Sequence, residues 1–228
     1  MAQFRMPDDE GRFWDFVSGV LQVKGKRILD IGAGEEASST NSMIKAGGAV
    51  TILDNNEERL KKQKIPGILG DASNIPLSDG SYDLVTAFYT LHEIPADLHE
   101  KTIREMRRVG KKIAFLESFD PPANEEERKL YELIDQMASS VGEVEKPMSL
   151  DYWLSLLKET GIEAESQNFE FVHRAEEKTE EDLRESIKAS SESRGYPKDL
   201  LEAYAKQAVK VAKLKGKLPK HLFLIAST

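Results

Sequence analysis

Short, uninterrupted apolar runs alternate with helical segments through the first half of the chain, and this order constrains the fold most strongly. Five runs have the length and composition of buried strands, at residues 27–31, 49–53, 67–69, 82–88 and 112–116. Strands that are apolar throughout, without a polar face, are typical of a parallel sheet covered on both sides. The sequence therefore predicts an α/β fold with a mostly parallel, twisted sheet and helices on both faces.

The second half of the chain adds helices and two further strands. Residues 125–139 have helical periodicity, and residues 162–173 and 221–226 favour strands, the last of them antiparallel. Two helical patterns follow one another between these strands. We therefore expect a helical insert at about residues 174–217.

Composition excludes several classes of protein. The chain has no cysteine, so it has no disulfide, thiolate zinc site or cysteine nucleophile. It carries 32 basic and 40 acidic residues, a net charge of −8, which disfavours a nucleic-acid partner. The apolar runs are too short to cross a membrane, and the first residues lack the apolar stretch of a signal peptide. We therefore expect a cytoplasmic protein with no membrane partner.

A glycine-rich turn and a later acid form the strongest local signal. Asp30-Ile31-Gly32-Ala33-Gly34 stands at the exit of the first strand, and Asp54 ends the second, 20 residues after Gly34. Glycines let the backbone approach a ligand closely, and an acid at the tip of the neighbouring strand can accept hydrogen bonds from ribose hydroxyls. The pair predicts a nucleoside site at the carboxyl ends of the strands.

A dinucleotide is the weaker interpretation of this site. Ala37 fills the third glycine position of a dinucleotide fingerprint, but Glu35 and Glu36 put carboxylates where a pyrophosphate would lie. S-adenosylmethionine fits better, because it carries a sulfonium and an ammonium and has no phosphate.

Together with later segments, this site resembles the successive motifs of class I S-adenosylmethionine-dependent methyltransferases, especially the small-molecule and quinone branch. The resemblance rests on residues 27–34, Asp54, residues 70–72 with 75–77, and residues 81–85 with 88–93. It implies a Rossmann-like, seven-stranded sheet. The domain would span residues 1–228, with an N-terminal lid helix at about 8–22, a cofactor-binding core at about 25–120 and the helical insert before the last strand.

The resemblance also implies S-adenosylmethionine as the cofactor and a set of binding residues. Asp30 would support the glycine turn and the methionine ammonium, which Gly32 and Gly34 would approach closely. Asp54 would hold the ribose hydroxyls, and Asp71 would accept from the adenine amine. The full set is Asp30, Gly32, Ala33, Gly34, Asp54, Asn55, Asp71, Ala72 and Phe88. Glu36 stands where the family has a third glycine, which is the one departure from the pattern.

Methyl transfer from a sulfonium is an in-line displacement, and a general base is needed only when the acceptor is protonated. His92 is the candidate base because its loop would lie beside the methyl group, and its alternative role is that of a loop-packing histidine. Tyr89 and Glu93 are its neighbours, and His173 and Glu117 are weaker candidates. We expect a small-molecule acceptor that the sequence does not identify, with oligomeric state left open.

Two alternatives stay open at this point. A non-catalytic protein could use the same pocket to sense S-adenosylmethionine or to act as a scaffold. A nucleic-acid methyltransferase would use the lysine face at Lys206, Lys210, Lys213 and Lys217. No sequence motif for a metal is present, so we predict none.

Overall fold

A computed structural model describes residues 3–6, 10–34, 36–118, 122, 124–172, 181, 185, 195–215 and 219–227. The strands are β1 (Gln3–Met6), β2 (Arg27–Ile31), β3 (Ala49–Asp54), β4 (Gly67–Leu69), β5 (Tyr82–Phe88), β6 (Gly110–Ser118), β7 (Ala164–Val172) and β8 (Pro219–Ser227). The described α-helices are α1 (Glu10–Val20), α2 (Ser38–Lys45), α3 (Glu57–Lys62), α4 (His99–Val109), α5 (Glu125–Ser140), α6 (Leu150–Glu159) and α7 (Lys198–Lys215). Short 3₁₀ helices lie at Leu91–Glu93 and Ala96–Leu98.

All the strands belong to one sheet, in the order β1-β7-β8-β6-β5-β2-β3-β4. β8 is antiparallel to both of its neighbours, and every other pair is parallel. The chain winds outward from β2 to β3 and β4, then returns to place β5 on the other side of β2. Ligands of open α/β sheets bind at such a reversal, outside the carboxyl ends of the strands.

The predicted fold class is confirmed, with one addition at the edge of the sheet. The strands expected from the sequence form the mostly parallel sheet, and the last is antiparallel. Residues 3–6 add an eighth strand, which pairs in parallel with β7. Four residues are too few for a period-2 pattern, so this strand depends on backbone pairing that the sequence does not reveal.

Side chains that alternate along each strand bury two separate faces of the sheet. Leu29 and Ile31 of β2 pack with one core cluster, which includes Ile103 of α4 and Trp153 of α6. Ile28 belongs to the opposite cluster, with residues from α1 and α2. This double burial explains why the strands are apolar throughout.

The predicted lid helix corresponds to α1, which packs on the second face of the sheet. Trp14 is 6% exposed, and its ring centroid lies 5.2 Å from that of Phe88. The ring of Phe13 makes an edge contact with Phe169 of β7. α1 is thus part of the core in this structure, and its role as a lid stays a prediction.

Of the predicted helical insert, the structure describes residues 181, 185 and 195–215, which include the helix α7. α7 docks on α5 through Glu126, whose carboxylate lies 2.7 Å from Nζ of Lys210 and accepts from Nε2 of Gln207 at 2.8 Å. The first helix of the insert and His173 lie outside the described residues. Among the helices that the structure describes, none combines the length and apolarity needed to cross a membrane.

Candidate active site

A pocket opens at the carboxyl ends of β2 and β3, at the reversal of strand order. Its empty volume is about 620 Å³, part of it open to solvent. The lining residues are Ile31, Gly32, Leu53, Asp54, Asn55, Arg59, Gly70, Asp71, Ala72, Thr90, Glu93, Ile94, Pro95 and Leu98. Five of the nine predicted cofactor residues are among them: Gly32, Asp54, Asn55, Asp71 and Ala72.

Gly32 makes the tight turn at the exit of β2. Its φ is +66°, and its N–H donates to the carbonyl of Leu53 at 2.9 Å. A Cβ at this position would lie 2.5 Å from Cγ2 of Thr90, so no larger residue fits. Oγ1 of Thr90 lies 3.1 Å from the carbonyl oxygen of Ile31, which ties the exit of β5 to the same turn. Gly32 therefore brings bare backbone to the pocket wall.

Asp30 lies beneath this turn and does not line the pocket. Its carboxylate is 1% exposed and accepts from Oγ1 of Thr40 at 2.5 Å and from Oγ1 of Thr86 at 2.7 Å. Burial raises the pKa of Asp30 to about 6, although the two hydroxyls oppose that shift. Asp30 thus connects β2, α2 and β5. The structure supports the first part of its expected role, support of the turn.

The loop from Gly34 to α2 lacks the third glycine of the family pattern, at whose position Glu36 stands. Gly34 has a φ of +70°, and its carbonyl accepts from Nε2 of Gln63 at 3.0 Å. The next left-handed residue is Ala37, with φ +48° and 1% exposure, immediately before α2. Glu36 is exposed, and Glu35 lies outside the described residues. Gly34 and Ala33 stand beside the pocket in sequence but are not part of its wall.

Asp54 ends β3 with its carboxylate in the pocket wall. Its side chain is 6% exposed, and Oδ1 accepts the backbone N–H of Asn56 at 2.8 Å. The side chain of Asn56 then caps α3, accepting from the N–H groups of Glu58 and Arg59 at 3.0 and 3.1 Å. In the part of the chain that the structure describes, no protein group donates to Oδ2 of Asp54. This oxygen is thus available to a ligand hydroxyl.

Asp71 and Ala72 form the far wall of the pocket after β4. Asp71 is exposed, and its Oδ1 accepts the N–H of Ser73 at 2.6 Å. The loop that follows is held by Arg108 of α4, which donates to the carbonyls of Ile75 and Leu77 at 2.9 and 2.7 Å. This clamp holds the far wall against the end of α4.

Phe88 takes a different position from the one that the resemblance implies. It is 6% exposed and packs against Trp14 on the face of the sheet opposite Ile31 and Leu53. Because β5 is buried on both faces, its apolar pattern does not reveal which side each residue faces. The pocket wall at the end of β5 is formed instead by Thr90.

His92 does not have the state of a general base. Its Nδ1 lies 2.6 Å from Oε2 of Glu117, and its Nε2 lies 3.4 Å from Oε1 of Glu145. Burial disfavours the imidazolium, but the hydrogen bond and charge of Glu117, with the charges of Glu145 and Glu93, outweigh it and raise the pKa of His92 to about 9. At neutral pH the ring is therefore protonated on both nitrogens. It also does not line the pocket, so the predicted role as base does not fit this structure.

Glu117 is the buried group that determines this state. It is 1% exposed, and its Oε1 accepts the N–H groups of Thr90 and Leu91 at 3.1 and 2.8 Å. His99 holds the same loop from its other side, with Nε2 lying 3.0 Å from the carbonyl of Leu91 and 2.9 Å from that of Ile94. Since carbonyls only accept, Nε2 of His99 carries the proton. Its Nδ1 then accepts from the hydroxyl of Tyr152.

Two wall residues were not singled out as site residues from the sequence. Thr90 and Arg59 reach the pocket because the turn after β5 and the start of α3 converge there. Thr90 could have been suspected from its place directly beyond a buried strand.

Comparison with known proteins agrees with this geometry. Residues 29–116 match the family model described as a methyltransferase domain. The chain is 36% identical over 93 residues to the demethylmenaquinone methyltransferase of Corynebacterium efficiens, covering 38% of each chain. It is 27% identical over 172 residues to the 27-O-demethylrifamycin SV methyltransferase of Amycolatopsis mediterranei, covering 68% of this chain and 61% of that one. The chain thus spans less than two thirds of the length of these relatives.

The fold is shared with solved structures across nearly the whole chain. The YcgJ protein from Bacillus subtilis superposes with a TM-score of 0.67 at 15% identity, covering 95% of this chain and 97% of that one. The domain match and the fold confirm the resemblance to class I methyltransferases predicted from the sequence.

Proposed function

We propose that this chain, whose residues 29–116 match the methyltransferase-domain family model, transfers a methyl group from S-adenosylmethionine to a small-molecule acceptor. One observation carries the proposal: the bare backbone of Gly32 and the carboxylate of Asp54 face one pocket from neighbouring strands. Such a pair suits the amino-acid and ribose parts of a nucleoside cofactor.

The pocket's charge fits this cofactor better than a dinucleotide. Its wall carries three acids, Asp54, Asp71 and Glu93, against one base, Arg59. A pyrophosphate would meet this excess of negative charge in a partly enclosed space, where like charges repel strongly. The sulfonium and ammonium of S-adenosylmethionine would be attracted to it. The net negative charge of the pocket wall therefore fits a cationic nucleoside.

The binding roles follow from the position of each group. Oδ2 of Asp54 would accept a ribose hydroxyl, with Asn55 beside it at the mouth of the pocket. Asp71 and Ala72 on the far wall would hold the adenine. Gly32 would allow close approach of the methionine part, while Asp30 stabilises the turn from below. S-adenosylmethionine supplies the electrophilic methyl group and its own leaving group when bound.

The chain's contribution to the reaction is then alignment and exclusion of water. Thr90 and Gly32 form the pocket wall at the ends of β5 and β2. Ile94, Pro95 and Leu98 add apolar surface to the lining. An acceptor held in line with the methyl group and the sulfur has already lost the rotational freedom that the reaction would otherwise cost. His92, as an imidazolium, supplies no base. Glu93 belongs to the same loop and brings a carboxylate to the pocket wall.

Several parts of the sequence interpretation remain proposals. The relatives' names point to small acceptors, which supports a small molecule here too. A nucleic-acid acceptor is disfavoured because Lys210 of the lysine face is paired with Glu126. The side chains of Lys213 and Lys217 lie outside the described residues. The cytoplasmic location predicted from composition stays a prediction.

A sensor or scaffold is the second candidate, and the state of His92 favours it. A pocket whose candidate base is an imidazolium could bind the cofactor without turnover. Calorimetry with S-adenosylmethionine, followed by radiolabelled methyl transfer to a panel of phenols and hydroquinones, separates the two. Binding with transfer supports the enzyme, binding without transfer to any acceptor supports the sensor, and no binding refutes both.

A further inference from the structure

A cluster of metal-ligating side chains lies at the edge of the pocket. One ligand atom from each of His92, Glu93 and Glu145 lies within 4.8 Å of those of the other two. The first two residues belong to the 3₁₀ helix after β5, and the third to the segment between α5 and α6. We propose that these three side chains bind a divalent transition-metal ion such as Zn²⁺ or Mn²⁺.

The histidine is oriented as metal-bound histidines are. Nδ1 of His92 contacts the buried carboxylate of Glu117 at 2.6 Å, which leaves Nε2 directed toward Glu145. A carboxylate behind the non-ligating nitrogen fixes the ring and raises its basicity toward a metal. Nε2 lies 3.4 Å from Oε1 of Glu145. Two ligands of a tetrahedral Zn²⁺ are separated by about 3.3 Å, from bond lengths of about 2.0 Å.

The backbone holds both halves of the cluster in place. The N–H of Lys146, next to Glu145, donates to the carbonyl of His92 at 2.9 Å. Glu117 accepts from the two residues before His92, as described above. The ligands His92 and Glu145 are therefore held in place, and Glu93 is exposed, so its side chain can adjust to a bound ion.

Charge also favours a cation at this position. Three carboxylates, those of Glu93, Glu117 and Glu145, surround one imidazole, and Glu117 is buried. These carboxylates make the half-buried site negative, and a bound dication would offset most of that charge.

The ligand set selects the kind of metal and leaves it open to chemistry. One imidazole and two carboxylates suit Zn²⁺ or Mn²⁺, whereas Mg²⁺ prefers oxygen ligands only. Three protein ligands leave at least one coordination position free. Glu93 also lines the pocket, so a free position there can take an oxygen of the acceptor. This use in methyl transfer rests on the proposed function, whereas binding of the ion does not.

The sequence predicted no metal because the ligands form no motif. His92 and Glu145 are more than fifty positions apart, and Glu117 lies between them on β6. The cluster exists only because the segment after α5 passes the exit of β5.

Calorimetric titration of the untagged, EDTA-treated protein with ZnCl₂ and with MnCl₂ tests the proposal, with MgCl₂ as a control. We expect one ion per chain, bound at least 100-fold more tightly for Zn²⁺ than for Mg²⁺. Glu145→Gln and His92→Gln should each weaken Zn²⁺ binding at least 10-fold, the range seen when coordination is disturbed. Glu143→Gln removes a nearby exposed carboxylate outside the cluster and should bind as the wild type does.

Thermal unfolding of every variant shows whether it is folded. Glu93 is exposed, so Glu93→Gln provides a third variant that should keep the fold. The proposal is overturned if no stoichiometric ion binds, or if the folded variants bind it as tightly as the wild type. S-adenosylmethionine is titrated into the same samples. Metal binding without cofactor binding would refute the proposed function alone, and cofactor binding without metal would refute the metal site alone.

Discussion

The buried carboxylate of Glu117 on β6 lies 2.6 Å from Nδ1 of His92, which lies in the turn that follows β5. The contact makes His92 a cation in the metal-free protein and directs its second nitrogen toward Glu145. A residue whose sequence position suggests a catalytic base is thereby placed in an ion cluster beside the pocket.

The pKa values of the two described histidines near the pocket should lie on opposite sides of the ordinary histidine value. Glu117 raises the pKa of His92 to about 9, whereas burial lowers the pKa of His99. NMR titration of the ring protons in EDTA measures both. In Glu117→Gln the pKa of His92 should fall, because the negative charge that stabilises the imidazolium is lost. Titration of His92 near 6.5 in the wild type would contradict the assignment.

Gly32→Ala should destabilise the fold far more than Gly34→Ala. Both glycines have a left-handed φ, which costs an L-residue about 1–2 kcal/mol. Only at Gly32 does the new Cβ meet another atom, Cγ2 of Thr90 at 2.5 Å, while at Gly34 nothing lies within 4 Å. Urea unfolding of the two variants isolates the cost of the clash.

Thr90→Ala provides the matching rescue for that experiment. It removes the clashing Cγ2 and Oγ1, so the double variant Gly32→Ala with Thr90→Ala should recover part of the lost stability. Equal destabilisation by the two glycine variants would show that Thr90 does not restrict the turn.

Asp30 should add to the free energy of unfolding at low pH, and this contribution should be lost as the pH is raised. Its pKa in the folded protein is about 6, against 3.8 for an ordinary aspartate, so the folded state binds the proton more tightly. The contribution is fully present below about pH 4 and is lost as the pH rises through about 6. From the size of the shift it amounts to about 3 kcal/mol at most.

Asp30→Asn measures this component by difference. Its stability relative to the wild type should rise between pH 4 and pH 6.5, because the variant has no carboxyl to ionise. Asp83 is the control, since Lys111 and the N–H of Arg27 lower its pKa to about 2. Asp83→Asn should show no such rise in that range. A flat difference for Asp30→Asn would contradict the buried state of the carboxyl.

Arg108→Ala should loosen the far wall of the pocket. The guanidinium donates to two carbonyls of the loop after Asp71 and pairs with Asp79 and Glu105. Its side chain is 31% exposed, so we expect a loss of only about 1–2 kcal/mol of stability. S-adenosylhomocysteine should bind about 3- to 10-fold more weakly, because the adenine wall becomes mobile.

Arg107→Ala is the matched control on the same helix. Its side chain donates to the carbonyl of Gly110 at the start of β6, whereas that of Arg108 donates to the loop after Asp71. Equal ligand affinity in the two variants would mean that the Arg108 clamp does not shape the pocket.

The sequence predicted the parts of the site that lie on strand exits. Gly32, Asp54 and Asp71 stand at or just beyond the ends of β2, β3 and β4, and parallel strands bring their carboxyl ends to one edge of the sheet. Phe88 could not be placed, because a strand buried on both faces gives no sign of which face a residue takes.

The charge state of His92 depends on residues that the chain brings together from afar. Glu117 and Glu145 follow His92 by 25 and 53 positions, and neither belongs to a recognisable motif. The edge strand β1 was missed for a similar reason, since its pairing with β7 joins segments that lie far apart in the chain.

Binding of S-adenosylmethionine to Asp54→Asn and to Asp83→Asn, measured by calorimetry beside the wild type, tests the central claim most directly. Asp54 lines the pocket with a free carboxylate oxygen, whereas Asp83 pairs with Arg27 and Lys111 at the other end of the sheet. We predict binding by the wild type and by Asp83→Asn, and at least a 10-fold loss in Asp54→Asn, about 1.4 kcal/mol or more. Wild-type binding that Asp54→Asn leaves unchanged, or no binding to the wild type, would contradict the account.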